Sequence, residues 1–130
     1  MIVLDGSATI DLLVDPARGS WVREQFGEDP DLHAPHLLDV EVASGLRALV
    51  SRSTISPAEG RRALDDFAEL PVARHGHTYL LSRVWQLRTR VSAYDATYIA
   101  LAEALGIPLI TTDLRLARIH GHRARIVAPE

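Results

Sequence analysis

Four acidic residues, Asp5, Glu41, Asp95 and Asp113, sit in apolar surroundings where acids are out of place. Asp5 ends a short apolar run of strand type and precedes a helix. Asp113 ends a second such run and precedes a helical turn. Each alone reads equally well as a helix N-cap. In an open parallel sheet, however, ligands bind beyond the carboxyl ends of the strands, so two acids at two such ends point to a site more strongly than one. Glu41 lies mid-helix on the apolar side. Its neighbours one turn away are Leu37, Leu38, Ser44 and Gly45, none able to form an i,i+4 ion pair with it. Asp95 lies near the start of the most apolar helix, with Val91, Ser92, Tyr98 and Ile99 around it. The alternatives are a distant arginine for Glu41 and helix-dipole stabilisation for Asp95. By contrast, Glu24, Glu28, Asp29, Asp65, Asp66 and Glu69 read as solvated surface.

If the four acids converge, they pose an electrostatic problem. Two like charges about 4 Å apart repel by roughly 4 kcal/mol at an effective dielectric near 20. Such a cluster must take up protons, pair with arginine or bind a cation. An all-oxygen donor set suits Mg2+ or Mn2+. Zinc would favour histidine or cysteine. The pairs His75/His77 and His120/His122 each flank a glycine and read as solvated loop residues, and cysteine is absent. Hydroxyls accompany the acids: Ser7 beyond Asp5, and Thr111 and Thr112 before Asp113. They could hold water or a phosphate oxygen, or else serve as a cap and as strand formers. Asp39, two residues from Glu41 on the same helix, points elsewhere.

The elements that must position these groups follow from periodicity. Strand-type segments are expected at 2–4, 32–34, 72–74, 109–111 and 125–127. Helices are expected at 7–14 and 19–26, with Pro16 interrupting between them, and at 36–52, 56–70, 78–88 and 92–105. Ser56-Pro57-Ala58-Glu59 carries the marks of a capped helix start, and Gly106 those of a C-cap with Pro108 following. Residues 114–119 read as a helical turn. Strands alternating with helices imply a parallel sheet covered on both faces.

Composition narrows the class. The 130 residues suggest one domain, 1–130, and 47% apolar with 24% charged residues suggests a globular chain. No apolar run approaches the roughly 18 residues of a membrane span, and the N-terminus lacks the basic region of a signal peptide. The absence of cysteine fits a reducing cytoplasm. The net charge is −3, so overall charge does not draw this chain to nucleic acid. Every basic side chain is arginine, whose planar fork suits phosphate.

The segments Ile2-Val3-Leu4-Asp5-Gly6-Ser7, Leu37-Leu38-Asp39-Val40-Glu41-Val42-Ala43, Tyr94-Asp95-Ala96-Thr97-Tyr98-Ile99-Ala100-Leu101-Ala102 and Leu109-Ile110-Thr111-Thr112-Asp113-Leu114-Arg115-Leu116 together resemble the PIN-domain nucleases, most closely the VapC-type toxins of type II toxin–antitoxin pairs. The resemblance covers essentially the whole chain. It implies a three-layer, Rossmann-like α/β/α fold with a mostly parallel sheet. It implies Mg2+ or Mn2+ at Asp5, Glu41, Asp95 and Asp113, and endonucleolytic cleavage of RNA that inhibits translation and growth. It further implies a VapB-type antitoxin partner and a homodimer.

Under that reading, phosphodiester hydrolysis would use one or two metal ions. Arg115 and Arg118, three apart, could track the RNA backbone, with Arg123 and Arg125 nearby, or be ordinary surface charge. Trp21, Phe26 and Trp85 could line a groove for the partner, although core packing is the simpler expectation. Two other readings compete. A haloacid-dehalogenase-like phosphatase fits Asp5 and Thr9, but Ser7 stands in place of its second acid and its lysine is missing. The other is a catalytically silent PIN-fold binding module.

Overall fold

Ile2, Val3 and Leu4 are all buried, as a strand covered on both faces requires, and they form β1 (Ile2–Leu4). β1 lies at the centre of a five-stranded sheet ordered β3-β2-β1-β4-β5, with β2 (Leu32–Pro35), β3 (Val72–His75), β4 (Leu109–Ile110) and β5 (Ile126–Val127). Every pairing is parallel, with Val3 opposite His33 on one side and Leu109 on the other. The computed structural model describes Met1–Glu130 throughout.

The chain winds first in one direction. It passes from β1 through α1 (Gly6–Val14) and α2 (Pro16–Glu24) to β2, then through α3 (Leu37–Ser51) and α4 (Pro57–Glu69) to β3. It then returns by way of α5 (Leu81–Gln86) and α6 (Ala93–Leu105) to β4, on the far side of β1. Right-handed crossovers therefore place α1–α4 on one face of the sheet and α5–α6 on the other. The strand order reverses at β1. Its carboxyl end, where Asp5 stands, opens into the crevice between the two windings.

Local sequence explains the helix limits. Asp15 caps α2 by accepting from the N–H groups of Ala17 and Arg18, and Pro16 occupies its first turn. Pro16 thus opens the second helix rather than merely separating two helices, because a first-turn residue needs no N–H. Ser56 and Glu59 form the reciprocal capping box of α4. Ser92 caps α6, and Gly106 ends it with a left-handed φ of 66°. Seven consecutive residues of α6, Ala96 to Ala102, are buried, and the helix lies against β1, β2 and β4.

Several segments are shorter than periodicity suggests. Residues 78–88 divide into a 3-10 turn at Thr78–Leu80 and the six-residue α5. The expected turn at 114–119 is a 3-10 turn at Leu116–Arg118. Buried apolar side chains form one cluster of 26 residues, with Trp21 and Phe26 packed against its edge. Trp85 departs from the core expectation: it is 67% exposed, with the Arg88 guanidinium 4.6 Å from its ring. Two histidines also depart from the solvated reading. His75 lies on β3 with its Nε2 2.9 Å from His33 Nδ1, and His122 Nε2 is 2.8 Å from the Ile119 carbonyl. No helix is long and apolar enough to cross a membrane.

Candidate active site

Asp5 is the N-cap of α1, as the simpler reading had it, and it is also the most buried of the four acids, 4% exposed. Its Oδ1 accepts from Ala8 N and Ser7 Oγ, both at 2.8 Å, and its Oδ2 accepts from Thr111 Oγ1 at 2.5 Å. Burial nevertheless pushes its pKa up to about 6 against these three hydrogen bonds, and repulsion from Asp95 adds to the rise. The hydroxyls stitch the ends of β1 and β4 together. Ser7 Oγ lies 3.1 Å from Thr111 Oγ1 and accepts from Thr112 N at 3.2 Å, while Thr111 Oγ1 accepts from Asp113 N at 3.0 Å. Thr112 contributes only its backbone. Its own hydroxyl is buried without a partner, so its side chain is not among the groups that hold the acids.

Glu41, on α3, accepts a hydrogen bond at Oε1 from the hydroxyl of Tyr98 on α6. The alternative of a distant arginine is not what the structure has; a buried phenol meets Glu41 instead. Burial raises the Glu41 pKa against that bond, and Asp95 contributes repulsion. Burial likewise raises the Tyr98 pKa, with Glu41 as the next cause, so the phenol remains a donor. Gly6 makes room for this arrangement, since a Cβ there would stand 3.3 Å from Glu41 Oε1. Tyr98 was not singled out by sequence reasoning. The available signal was its position three residues after Asp95 on a helix apolar on most sides, because a buried tyrosine hydroxyl needs a partner.

Asp95 stands in the first turn of α6, where Ser92 Oγ accepts from its backbone N–H at 3.2 Å. Burial raises its pKa, and Asp113 adds repulsion that Arg115 and Ser92 partly offset. Asp95 is therefore the electrostatic hub, repelling or repelled by each of the other three acids. Asp113 differs from the rest. Burial opposes its ionisation, but Arg115 outweighs that through Nε at 3.3 Å, Nη2 at 3.2 Å and its backbone N–H at 3.0 Å, and holds Asp113 below the usual carboxylate range. Arg115 is thus bound to an acid of the site, while Arg118 is exposed.

No three acidic or histidine side chains stand close enough to grip one ion directly. Mg2+ commonly keeps several waters and takes only one or two carboxylates, and the donor set of four carboxyls and two hydroxyls is all oxygen. Asp5, Glu41 and Asp95 have no salt-bridge partner, and their raised pKa values mark carboxylates whose charge is left uncompensated by burial. The residues therefore suit a hydrated hard cation. Beside them, Arg90, Ser92, Asp95, Asp113 and Arg115 line an open cleft of about 340 Å3.

Comparison with known proteins gives the family. The family model described as PIN domain matches residues 2–121. Ribonuclease VapC12 of Mycobacterium tuberculosis is 46% identical over 127 residues, 97% of each chain. Ribonuclease VapC9 of the same organism is 45% identical over 117 residues, covering 90% of this chain and 89% of the relative. Among solved structures, VapBC2 from Rickettsia felis, bound to a DNA fragment from its promoter, superposes with a TM-score of 0.71 at 15% identity, over 98% of both chains. That likeness bears on the fold; the family follows from the sequence matches. The chain belongs to the PIN domain family, among its VapC-type ribonucleases.

Proposed function

We propose that this chain is a divalent-metal-dependent endoribonuclease, using Mg2+ or Mn2+ held by Asp5, Asp95 and Asp113 with help from Glu41, and that it acts as the toxin of a VapBC-type pair. The observation that carries the metal site is the convergence on Asp95. Three acids, at the end of β1 and on α3 and α6, are partly dehydrated, Asp5 and Glu41 are each repelled by Asp95, and none of the three has a salt-bridge partner. When bound, a divalent cation would lower the pKa of a coordinated water and offset the charge that develops on the phosphate.

The chain's own groups have distinct tasks. Ser7 and Thr111 fix the Asp5 carboxylate at the crevice. Tyr98 occupies Glu41 Oε1 and so leaves the other oxygen, Oε2, available to water or cation. Asp95 and Asp113 face the cleft through which an RNA strand would approach. Arg115 steadies Asp113, and its charge would meet phosphate only after exchanging partners.

A VapB-type antitoxin, a homodimer and a cytoplasmic location complete the proposal, together with a single domain over 1–130. Similarity to VapC ribonucleases and to a VapBC complex supports the antitoxin. Trp85 is the most exposed of the three aromatic candidates for a partner. The phosphatase reading loses its ground, since Ser7 is a hydrogen-bond donor to Asp5 rather than an acid beside it.

The test is cleavage of a mixed-sequence single-stranded RNA with Mg2+ or Mn2+. Activity should vanish with EDTA, and in Asp95→Asn with the fold retained. Cleavage that persists in EDTA would remove the metal site from the proposal. Failure to cut a broad RNA panel with either metal would favour the silent binding module.

A further inference from the structure

Five arginines are held by acids: Arg18 by Asp11, Arg61 by Asp65, Arg74 by Asp39, Arg83 by Glu103 and Arg115 by Asp113. Arg90 has no such partner, although it lines the same cleft as Asp95 and Asp113. Its position is not left to chance. The end of the side chain packs on Gly121, where a Cβ would stand 2.3 Å from Arg90 Nε, 2.7 Å from Cδ and 2.8 Å from Cζ, so that any larger residue there displaces the guanidinium from this seat. Gly121 also has a φ of 88°, which few residues other than glycine adopt.

The loop carrying Gly121 is itself pinned. Arg83 Nη2 donates to the Gly121 carbonyl at 3.3 Å. Arg83 is also bound through two nitrogens to Glu103, at 2.7 and 3.0 Å, and Glu103 accepts from Arg123 N at 2.7 Å. The Glu103 side chain is only 5% exposed. A partly buried ion pair thus fixes the loop of Gly121, and that glycine leaves room for an unpaired guanidinium in the cleft that Asp95 and Asp113 line. A planar, preorganised fork with no internal acid is suited to bidentate capture of a phosphate.

We propose that Arg90, seated on Gly121, is a substrate-binding residue that grips an RNA phosphate next to the one being cut. This role rests on the nuclease reading and extends it. The sequence offers Arg115 and Arg118 for this purpose, with ordinary surface charge as the alternative. Arg115 is engaged by Asp113, and Arg118 is not among the residues lining the cleft.

The experiment separates binding from chemistry. Arg90→Ala should raise KM for a 10-nucleotide single-stranded RNA about tenfold at low salt, as loss of one charge-assisted phosphate contact implies. Its kcat should stay within about twofold, and the slope of log KM against log salt should fall by about 0.7, one phosphate's share for a single strand. Arg90→Lys keeps the charge and should recover the salt slope but only part of KM. Gly121→Ala should reproduce the Arg90→Ala defect and add nothing to it in the double variant. Should Gly121→Ala fail to fold, the two Arg90 variants decide the matter, because Arg90 is exposed. Anisotropy of the labelled RNA in an Asp95→Asn background gives an independent reading. Arg90-dependent binding there supports the phosphate contact even if wild type proves unable to cut. Unchanged affinity and salt slope in Arg90→Ala would overturn the inference while leaving the nuclease intact.

Discussion

Asp5 meets two opposing demands. As a cap, its carboxylate accepts three hydrogen bonds; as a buried group it is pushed up to about 6. Raised above the ordinary value of 3.8, it costs stability whenever it is ionised in the folded state, at most about 3 kcal/mol. Asp5→Asn should therefore stabilise the metal-free protein at pH 7, by about 1–2 kcal/mol once imperfect caps are allowed for, while abolishing cleavage. The Asn amide can keep the Ala8 bond and offer its NH2 to Thr111, so the local pattern survives. Urea melts at pH 7 and 4 check this, because the gain should shrink at pH 4, where the wild-type carboxyl is largely protonated. A destabilised Asn variant at pH 7 would mean that the cap outweighs the charge. Tyr98→Phe tests the neighbouring contact. It should cost about 1–2 kcal/mol and reduce kcat, and a double-mutant cycle with Glu41→Gln should show coupling. The four acids were legible because each lacked a local cation. Tyr98 was not, because its partner is 57 residues away and only the assembled fold brings the two side chains together.

At the scale of elements, the site depends on where helices begin. α6 starts at Ala93 because Ser92 caps it, and that start places Asp95 one turn in, facing Asp113. Ser92→Ala should cost about 1 kcal/mol of stability, the usual worth of such a cap. It should also lower kcat more than KM, since fraying of the first turn moves Asp95 but not Arg90. Thermal melts and steady-state kinetics on the same preparation check both, and equal effects on kcat and KM would argue against a cap role confined to Asp95. Capping signals such as Ser56-Glu59 and Gly106 were legible because they are local. The start of α2 was misread because proline interrupts a helix in one position and opens it in another, and only the Asp15 cap decides between them. β4 and β5, two residues each, were placed within a residue or two, since their pairing is completed by contacts such as Thr111 N to Val127 O. The ion pair of Arg83 with Glu103 spans 20 residues, from α5 to α6, and nothing in either segment announces it.

For the whole molecule, the strand order brings acids that are far apart in sequence to one crevice, and the price is a charge imbalance there. Asp5, Glu41 and Asp95 all have raised pKa values, so as pH rises the unfolded chain loses these protons before the folded one does, for Asp5 between about pH 4 and 6. Metal-free stability from this source is therefore full near pH 4 and falls as pH rises through 6. Asp113 and Glu103 act in the opposite sense, but their shifts are downward, and what they contribute is lost only on acidification below the ordinary carboxylate range. A divalent cation reverses the first trend, because it binds the folded, ionised cluster and competes with protons. Melting in EDTA should give a higher Tm at pH 5 than at pH 7.5, and adding 5 mM Mg2+, roughly ten to a hundred times a submillimolar Kd, should raise Tm by about 5–10 °C at pH 7.5 and far less at pH 5. In Asp95→Asn, which removes the hub of the repulsion, both the pH difference and the Mg2+ effect should diminish together. If Mg2+ stabilised wild type and Asp95→Asn equally at pH 7.5, the ion would be binding elsewhere, and the crevice would have to relieve its charge by protonation alone.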